Sequence, residues 1–141
     1  RNYLMRYLGI DYGQKRTGLA ICDGAETIAS PLKVLTGRRS ELFAGIAEIV
    51  KRENIEAIVL GLPLNMDGTA GPQVKCVQDF AEGIKEHVDV SIHFQDERLS
   101  SFDAEGKLSG AELTRKKKKA RLDAVAAAFI LQSFLDEKHG R

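Results

Sequence analysis

The order of hydrophobic patterns along the chain limits its fold more than any other feature. Three apolar stretches without helical spacing come first, in YLGID, TGLAIC and ETIASPLKVL. From Ser40, a candidate helix cap, segments with helical spacing alternate with short apolar runs. They predict, in order, a helix to about residue 50, the strand EAIVLG, a helix over about 74–84, the strand VSIHF, and a helix over about 115–137. This order, β-β-β-α-β-α-β-α, predicts one mixed sheet flanked by helices.

The sheet should contain two kinds of strand pairing. Asp23-Gly24 is a good hairpin turn, so we predict an antiparallel meander for the first three strands. The continuous apolar run of the fourth strand indicates burial on both faces, as in a parallel pair, and the fifth strand joins it. The chain has no internal repeat or linker, and we expect one α/β domain over residues 1–141. Met5 is a candidate natural start, which would make residues 1–4 an addition.

Composition excludes several classes of protein. The net charge is +1, and apolar residues make up 43% of the chain without any run long enough to span a membrane. Cys22 and Cys76 lie far apart, which suits a reducing cytosol better than a disulfide or a zinc site. A membrane protein and a zinc-binding module are therefore not expected.

Acidic residues recur where the predicted elements end. Asp11 ends the first strand, Asp96 and Glu97 end the fifth, and Asp123 lies in the last helix. Because the carboxyl ends of parallel strands share one edge of a sheet, these acids are expected to converge there. Each also has a simpler interpretation: a turn former for Asp11, surface charges for Asp96 and Glu97, and pairing with Lys119 for Asp123.

The last helix begins with a dense basic segment. Residues 115–121 contain six cations in seven positions, which indicates either a solvated helix face or a surface that contacts phosphates. Lys119 and Lys116 precede Asp123 by four and seven residues and so share its face. This arrangement is expected where a phosphate backbone leads to a metal, because clustered carboxylates repel unless a proton or a cation bridges them.

Four segments of the chain resemble, in order and spacing, the bacterial family of pre-16S ribosomal RNA nucleases, which is also described as Holliday-junction-resolvase-like. They are LGIDYGQKRTGLAI, VLGLPLNMDGT, DERLSS and RLDAVAAAFIL, and the resemblance extends from Met5 to about Leu135. It implies an RNase H-like fold, Mg²⁺ or Mn²⁺ as cofactor, a cytoplasmic location, and 5′-end processing of pre-16S ribosomal RNA in ribosome biogenesis. By this resemblance the catalytic and metal-binding acids are Asp11, Glu97 and Asp123.

The chain departs from the pattern of junction resolvases at one position. Those enzymes carry a catalytic acid at the end of the fourth strand, where this chain has Gly61. The acid comes instead from the fifth strand, so Glu97 has to reach across about one extra strand spacing, roughly 4.8 Å. We interpret Gly61 and Glu97 as a compensating pair and Asp96 as an accessory metal ligand.

Basic residues near the acids are candidates for binding nucleic acid. They are Lys15, Arg16, Arg98, Lys116, Lys119 and Arg121. Arg98 is equally well explained as a partner that fixes a neighbouring carboxylate. The glycine-containing segment over residues 99–115 is predicted to be a flap that becomes ordered on binding.

Three alternatives to RNA processing follow from the same residues. They are resolution of branched DNA, a catalytically silent nucleic-acid-binding module, and an actin-like ATPase, which would need a second domain. A precursor RNA is the favoured partner, branched DNA is the second candidate, and the expected state is a monomer or a weak homodimer.

Overall fold

The computed structural model describes residues 4–99 and 115–141, the second range with side chains from Asp123 onward. The elements follow the predicted order: β1 (Tyr7–Tyr12), β2 (Thr17–Cys22), β3 (Ala29–Leu35), α1 (Arg39–Arg52), β4 (Ala57–Leu62), α2 (Pro72–Lys85), β5 (Ser91–Asp96), a 3₁₀ turn (Glu97–Leu99) and α3 (Arg115–His139). None of the helices in these ranges is long and apolar enough to cross a membrane.

The five strands form one mixed sheet in the order β3-β2-β1-β4-β5. β1 pairs antiparallel with β2, placing Asp11 opposite Gly18, and β2 pairs antiparallel with β3. β1 and β4 are parallel, as are β4 and β5, where Gly61 lies opposite Gln95. The meander and the parallel pairs are thus confirmed, and the carboxyl ends of β1, β4 and β5 share one edge.

Helices cover both faces of the sheet. Apolar residues of α1 and α2 pack on one face, against Leu8, Ile10 and Leu60. On the other face, α3 is the one helix among the described residues, with Ala127 and Leu131 against the sheet. Because side chains alternate along a strand, each buried strand contributes to both cores, which explains its continuous apolar sequence.

Glycines allow α3 to lie very close to the sheet. A Cβ atom added to Gly18 would overlap the carbonyl oxygen of Asp123, and one added to Gly61 would lie 2.7 Å from Cδ1 of Ile130. No side chain fits at Gly18 without displacing the helix backbone, whereas the atom of α3 nearest to Gly61 is the end of a side chain. Gly18 therefore sets how near the helix carries Asp123 to β1 and β2.

The first helix begins differently from our expectation. Ser40 lies within the first turn of α1, and the capping position belongs to Arg38. The backbone N–H of Arg38 donates a hydrogen bond of 2.9 Å to Oε1 of Glu41. The carboxylate of Glu41 thus satisfies the backbone donor at the capping position.

A buried carboxylate joins the β2–β3 turn to the end of α3. Glu26 is fully buried and accepts hydrogen bonds from Nζ of Lys138 at 2.7 Å and from the backbone N–H of Met5 at 2.7 Å. His139 Nε2 lies 3.0 Å from the same carboxylate. Burial opposes ionisation, but these hydrogen bonds hold the pKa of Glu26 below its ordinary value. The cluster lies outside the acids predicted to act in catalysis.

Candidate active site

Asp11 and Glu97 meet at the carboxyl edge of the sheet, across β4. Asp11 lies near the end of β1, and Glu97 opens the 3₁₀ turn after β5. Their carboxyl groups are hydrogen-bonded to each other. A Cβ atom on Gly61 would lie 2.7 Å from Oε1 of Glu97 and 2.9 Å from its Cγ. The Glu97 side chain thus lies in the space that Gly61 leaves open, which is the compensation we expected.

The carboxyl groups of Asp11 and Glu97 do not both ionise at neutral pH. Burial, the hydrogen bond with Asp11 and the charges of Asp11 and Asp96 raise the pKa of Glu97 to about 8. Burial raises the pKa of Asp11 as well, with a contribution from Asp123, although the hydrogen bond from Glu97 opposes this change. At neutral pH without a metal, Glu97 therefore keeps its proton and donates it to Asp11.

Asp123 lies beside this pair but is held by another residue. Nε of Arg16 donates a hydrogen bond of 2.8 Å to Oδ2 of Asp123. The exposed fraction of the side chain is 29% for Arg16 and 32% for Asp123. Across residues 4–99 and the side chains from Asp123 onward, no three His, Cys, Asp or Glu residues stand close enough to hold a metal ion. The structure thus brings together two of the three predicted acids, with the third next to them in an ion pair.

Asp96 and Arg98 bind each other. Oδ2 of Asp96 accepts hydrogen bonds from Nη2 of Arg98 at 2.7 Å and from Nε at 3.2 Å, and Oδ1 accepts the backbone N–H of Arg98 at 2.9 Å. These hydrogen bonds hold the pKa of Asp96 below its ordinary value. Nη1 of Arg98 donates to the carbonyl of Met66 at 3.0 Å, joining the β4–α2 loop to the turn that carries Glu97.

This pairing bears on two sequence predictions. Asp96 was expected to be an accessory metal ligand, and both of its carboxylate oxygens are instead occupied by Arg98. Arg98 was offered either as a phosphate contact or as the partner of a carboxylate, and the structure favours the second interpretation.

A pocket lies in the β1–β2 turn beside Asp123. Its volume is about 240 Å³, and it is lined by Gly13, Gln14, Lys15, Arg16 and Asp123. Lys15 is exposed, so its ammonium group adds positive charge at the pocket. Of the predicted nucleic-acid contacts, Lys15 and Arg16 are therefore adjacent to the acids. The side chains of Lys116, Lys119 and Arg121 lie outside the described residues, as do residues 100–114 of the predicted flap.

The sequence of this chain matches one protein family over nearly its full length. Residues 5–137 match the RuvX family, described as Holliday junction resolvase. The chain belongs to the RuvX family. Membership assigns it to the nucleases, enzymes that hydrolyse phosphodiester bonds.

Relatives of this RuvX-family chain include proteins from two bacilli. A protein of Bacillus cereus (strain B4264) named "Putative pre-16S rRNA nuclease" is 44% identical over 141 residues, covering 95% of this chain and all of the relative. A protein of the same name from Bacillus thuringiensis (strain Al Hakam) is 43% identical, with the same coverage. The resemblance to this family is thus confirmed.

Solved structures show the same fold at low sequence identity. Thermus thermophilus RuvC in complex with a Holliday junction substrate superimposes with a TM-score of 0.57 at 18% identity, covering 96% of each chain. The yeast mitochondrial Holliday junction resolvase Ydc2 gives a TM-score of 0.53 at 13% identity, covering 96% of this chain and 81% of the other. These likenesses confirm the RNase H-like, resolvase-type fold.

The shared proton predicts how stability depends on pH when metal is absent. The pKa of Glu97 is raised in the folded state, so its contribution to stability is complete below pH 4.5 and is lost as the pH rises through about 8. In EDTA a shift of the pKa from 4.5 to about 8 corresponds to a fall of roughly 4 kcal/mol in the free energy of unfolding between pH 5 and pH 8.5. Because the Glu97 side chain is partly exposed and solvent screens it, we expect about half of this fall, measured by urea denaturation. Glu97→Gln should flatten this dependence, whereas Glu137→Gln, at an exposed position, should not. The same slope in all three proteins would contradict the shared proton.

Proposed function

We propose that this chain is a divalent-metal-dependent endonuclease that processes the 5′ end of pre-16S ribosomal RNA in the bacterial cytoplasm. The observation that carries the proposal is the Asp11–Glu97 pair, whose carboxyl groups meet at the carboxyl edge of the sheet, with the Glu97 side chain in the space that Gly61 leaves open. Titratable groups with displaced pKa values at such an edge are characteristic of catalytic sites. The names of the relatives from bacilli support the RNA substrate.

The residues of the pair suit Mg²⁺ or Mn²⁺. Both ions prefer oxygen ligands, and Asp11 and Glu97 offer carboxylate oxygens that are costly to ionise together unless a cation joins them. Asp123, the neighbouring carboxylate, would complete the set of ligands once its ion pair with Arg16 is broken. When bound, divalent ions at such a site polarise the phosphodiester and stabilise charge on the attacking and leaving oxygens.

The remaining tasks belong to the side chains of the protein. Gly61 and the 3₁₀ turn position the Glu97 carboxyl group beside Asp11. Arg98 fixes that turn by binding Asp96 and the Met66 carbonyl, and so acts as a positioning residue. Lys15 and Arg16 supply positive charge beside the acids, where a phosphodiester backbone has to lie.

Cleavage assays on two substrates test the proposal. With Mg²⁺ present, the protein should cut a 16S ribosomal RNA precursor at its 5′ extension, and EDTA should abolish cutting. The family description and the solved structures favour a second candidate, resolution of four-way DNA junctions. Symmetric cutting of a junction by a stable dimer would support that candidate, and a monomer that cuts only the RNA would support processing. Failure to cut either substrate would contradict both.

The basic start of α3 leads to a prediction about binding. By helical spacing, positions 116 and 119 are expected to share the helix face of Asp123, and positions 117 and 118 are expected to lie on other faces. Replacing Lys116 and Lys119 with alanine should weaken RNA binding more than replacing the other two, and should reduce the dependence of binding on salt by about 0.7 in slope per lost phosphate contact. Fluorescence anisotropy at several salt concentrations measures both. Equal effects from the two pairs would mean that no single face contacts the RNA.

A further inference from the structure

The Arg16–Asp123 ion pair has a consequence for the order in which ligands bind. The same carboxylate that would complete the metal site is bound by a cation of the β1–β2 turn, at 2.8 Å. Arg16 and Asp123 both line the 240 Å³ pocket, and both are partly exposed, so a ligand can reach the pair without unfolding either element. This inference rests on the function proposed above.

We propose that the β1–β2 pocket is a phosphate subsite, and that a phosphodiester of the substrate takes Arg16 away from Asp123. The released carboxylate is then free to join Asp11 and Glu97. In the absence of nucleic acid, Arg16 keeps Asp123 occupied and so weakens metal binding.

The chemistry of the pocket favours a phosphate over other ligands. Two cationic side chains, Lys15 and Arg16, line it together with the glycine turn at residues 13–14. A Cβ atom on Gly13 would lie 2.5 Å from the carbonyl of Arg16, so the turn is too tight for a larger residue. Guanidinium groups bind carboxylate and phosphate oxygens with the same planar geometry, which allows Arg16 to exchange one for the other.

Because Arg16 binds either Asp123 or a phosphate, binding at the metal site and binding at the phosphate subsite are coupled. An ion pair that is about one-third exposed is worth little on its own, so a phosphodiester that Lys15 also contacts can displace it. By linkage, a phosphate bound to Arg16 should strengthen metal binding, and a metal bound to Asp123 should strengthen phosphate binding by the same factor. The pair therefore favours metal loading in the complex with substrate over loading of the free protein.

Metal affinity of the free protein tests the first half of the proposal. Titration with Mn²⁺ alone, followed by electron paramagnetic resonance, should show that Arg16→Ala binds Mn²⁺ about three- to fivefold more tightly than the wild type, the magnitude expected of a partly exposed ion pair. Lys15→Ala is the matched control, because it removes the same charge from the same turn without touching Asp123. Equal affinities for the two variants would overturn the exchange.

Nucleic-acid affinity in EDTA tests the second half, using a fluorescein-labelled single-stranded RNA and no metal. Arg16→Ala and Lys15→Ala should both weaken binding, and Asp123→Asn should strengthen it by releasing Arg16. Asp11→Asn is the control for Asp123→Asn, since it removes a neighbouring acid that Arg16 does not bind. Unchanged binding in Lys15→Ala and Arg16→Ala would overturn the phosphate subsite. An equal gain in both aspartate variants would overturn the exchange.

These results are separate from the test of the proposed function. Cleavage of RNA depends on Asp11 and Glu97, which the Arg16 and Lys15 variants leave intact. If Mg²⁺-dependent cleavage is observed while the Mn²⁺ affinities of Arg16→Ala and Lys15→Ala agree, the nuclease assignment stands and the exchange fails. If no cleavage is observed, the nuclease assignment fails whatever these affinities are.

Discussion

Glu97→Gln is expected to lower the rate of metal-dependent hydrolysis by orders of magnitude while the protein remains folded. The amide keeps the shape of the side chain over Gly61 but removes the negative charge that a divalent cation needs. Asp11→Asn and Asp123→Asn should have comparable effects, because each removes one of the three proposed ligands. Single-turnover cleavage with saturating Mg²⁺ measures the loss.

Asp96→Asn is the matched control for these variants. Asp96 is adjacent to Glu97 in sequence, but its carboxylate is bound to Arg98, so its replacement should reduce the rate far less. The melting temperatures of Asp11→Asn and Glu97→Gln in EDTA should equal or slightly exceed that of the wild type, since each variant relieves the cost of holding two carboxyl groups together in a buried site. Rates like the wild type in any two of the Asp11, Glu97 and Asp123 variants would contradict the proposed site.

Gly18→Ala is expected to cause the largest loss of stability among single substitutions near the site. The added methyl group would overlap the carbonyl oxygen of Asp123, and neither β2 nor the helix backbone can yield cheaply. We expect the free energy of unfolding to fall by about 2–3 kcal/mol, measured by urea denaturation at pH 7. Hydrolysis should fall as well, because α3 has to move away and takes Asp123 with it.

Gly24→Ala provides the comparison for this substitution. A Cβ atom at Gly24, in the β2–β3 turn, meets nothing within 4 Å, so the same chemical change should leave both stability and activity nearly unchanged. A Gly18→Ala protein as stable as the Gly24→Ala protein would contradict the close approach of α3 to β2.

Most of the fold could be predicted because it depends on local patterns. The change from uninterrupted apolar runs to helical spacing defines the elements, and the Asp23-Gly24 turn defines the meander. Parallel pairing of β1, β4 and β5 then fixes which strand ends meet, so the approach of Asp11 and Glu97 followed from the sequence. The prediction that Ser40 caps α1 was wrong, because the position of a cap depends on local backbone geometry that the residue type at 40 does not determine.

The ion pairs around the site were harder to predict. Arg16 and Asp123 are 107 positions apart, and the pairing depends on how closely α3 approaches the β1–β2 turn. The close approach of Gly18 to the helix backbone sets that distance, and the sequence alone does not show which part of the chain a glycine faces. The partners of Glu26 are similarly distant, since Lys138 is 112 positions away. The Asp96–Arg98 pair is local, and for that reason it was among the alternatives for Arg98.

The contact between Glu97 and Gly61 means that these two positions cannot vary independently over evolutionary time. Any side chain at 61 would occupy the space that the Glu97 carboxyl group now fills, at 2.7 Å from its oxygen. A lineage that acquires an acid at 61 supplies the missing ligand and simultaneously makes the glutamate at 97 dispensable. In alignments of related nucleases, two combinations should therefore be common: glycine at 61 with glutamate at 97, and an acid at 61 without glutamate at 97. Lineages that pass from one combination to the other should change both positions.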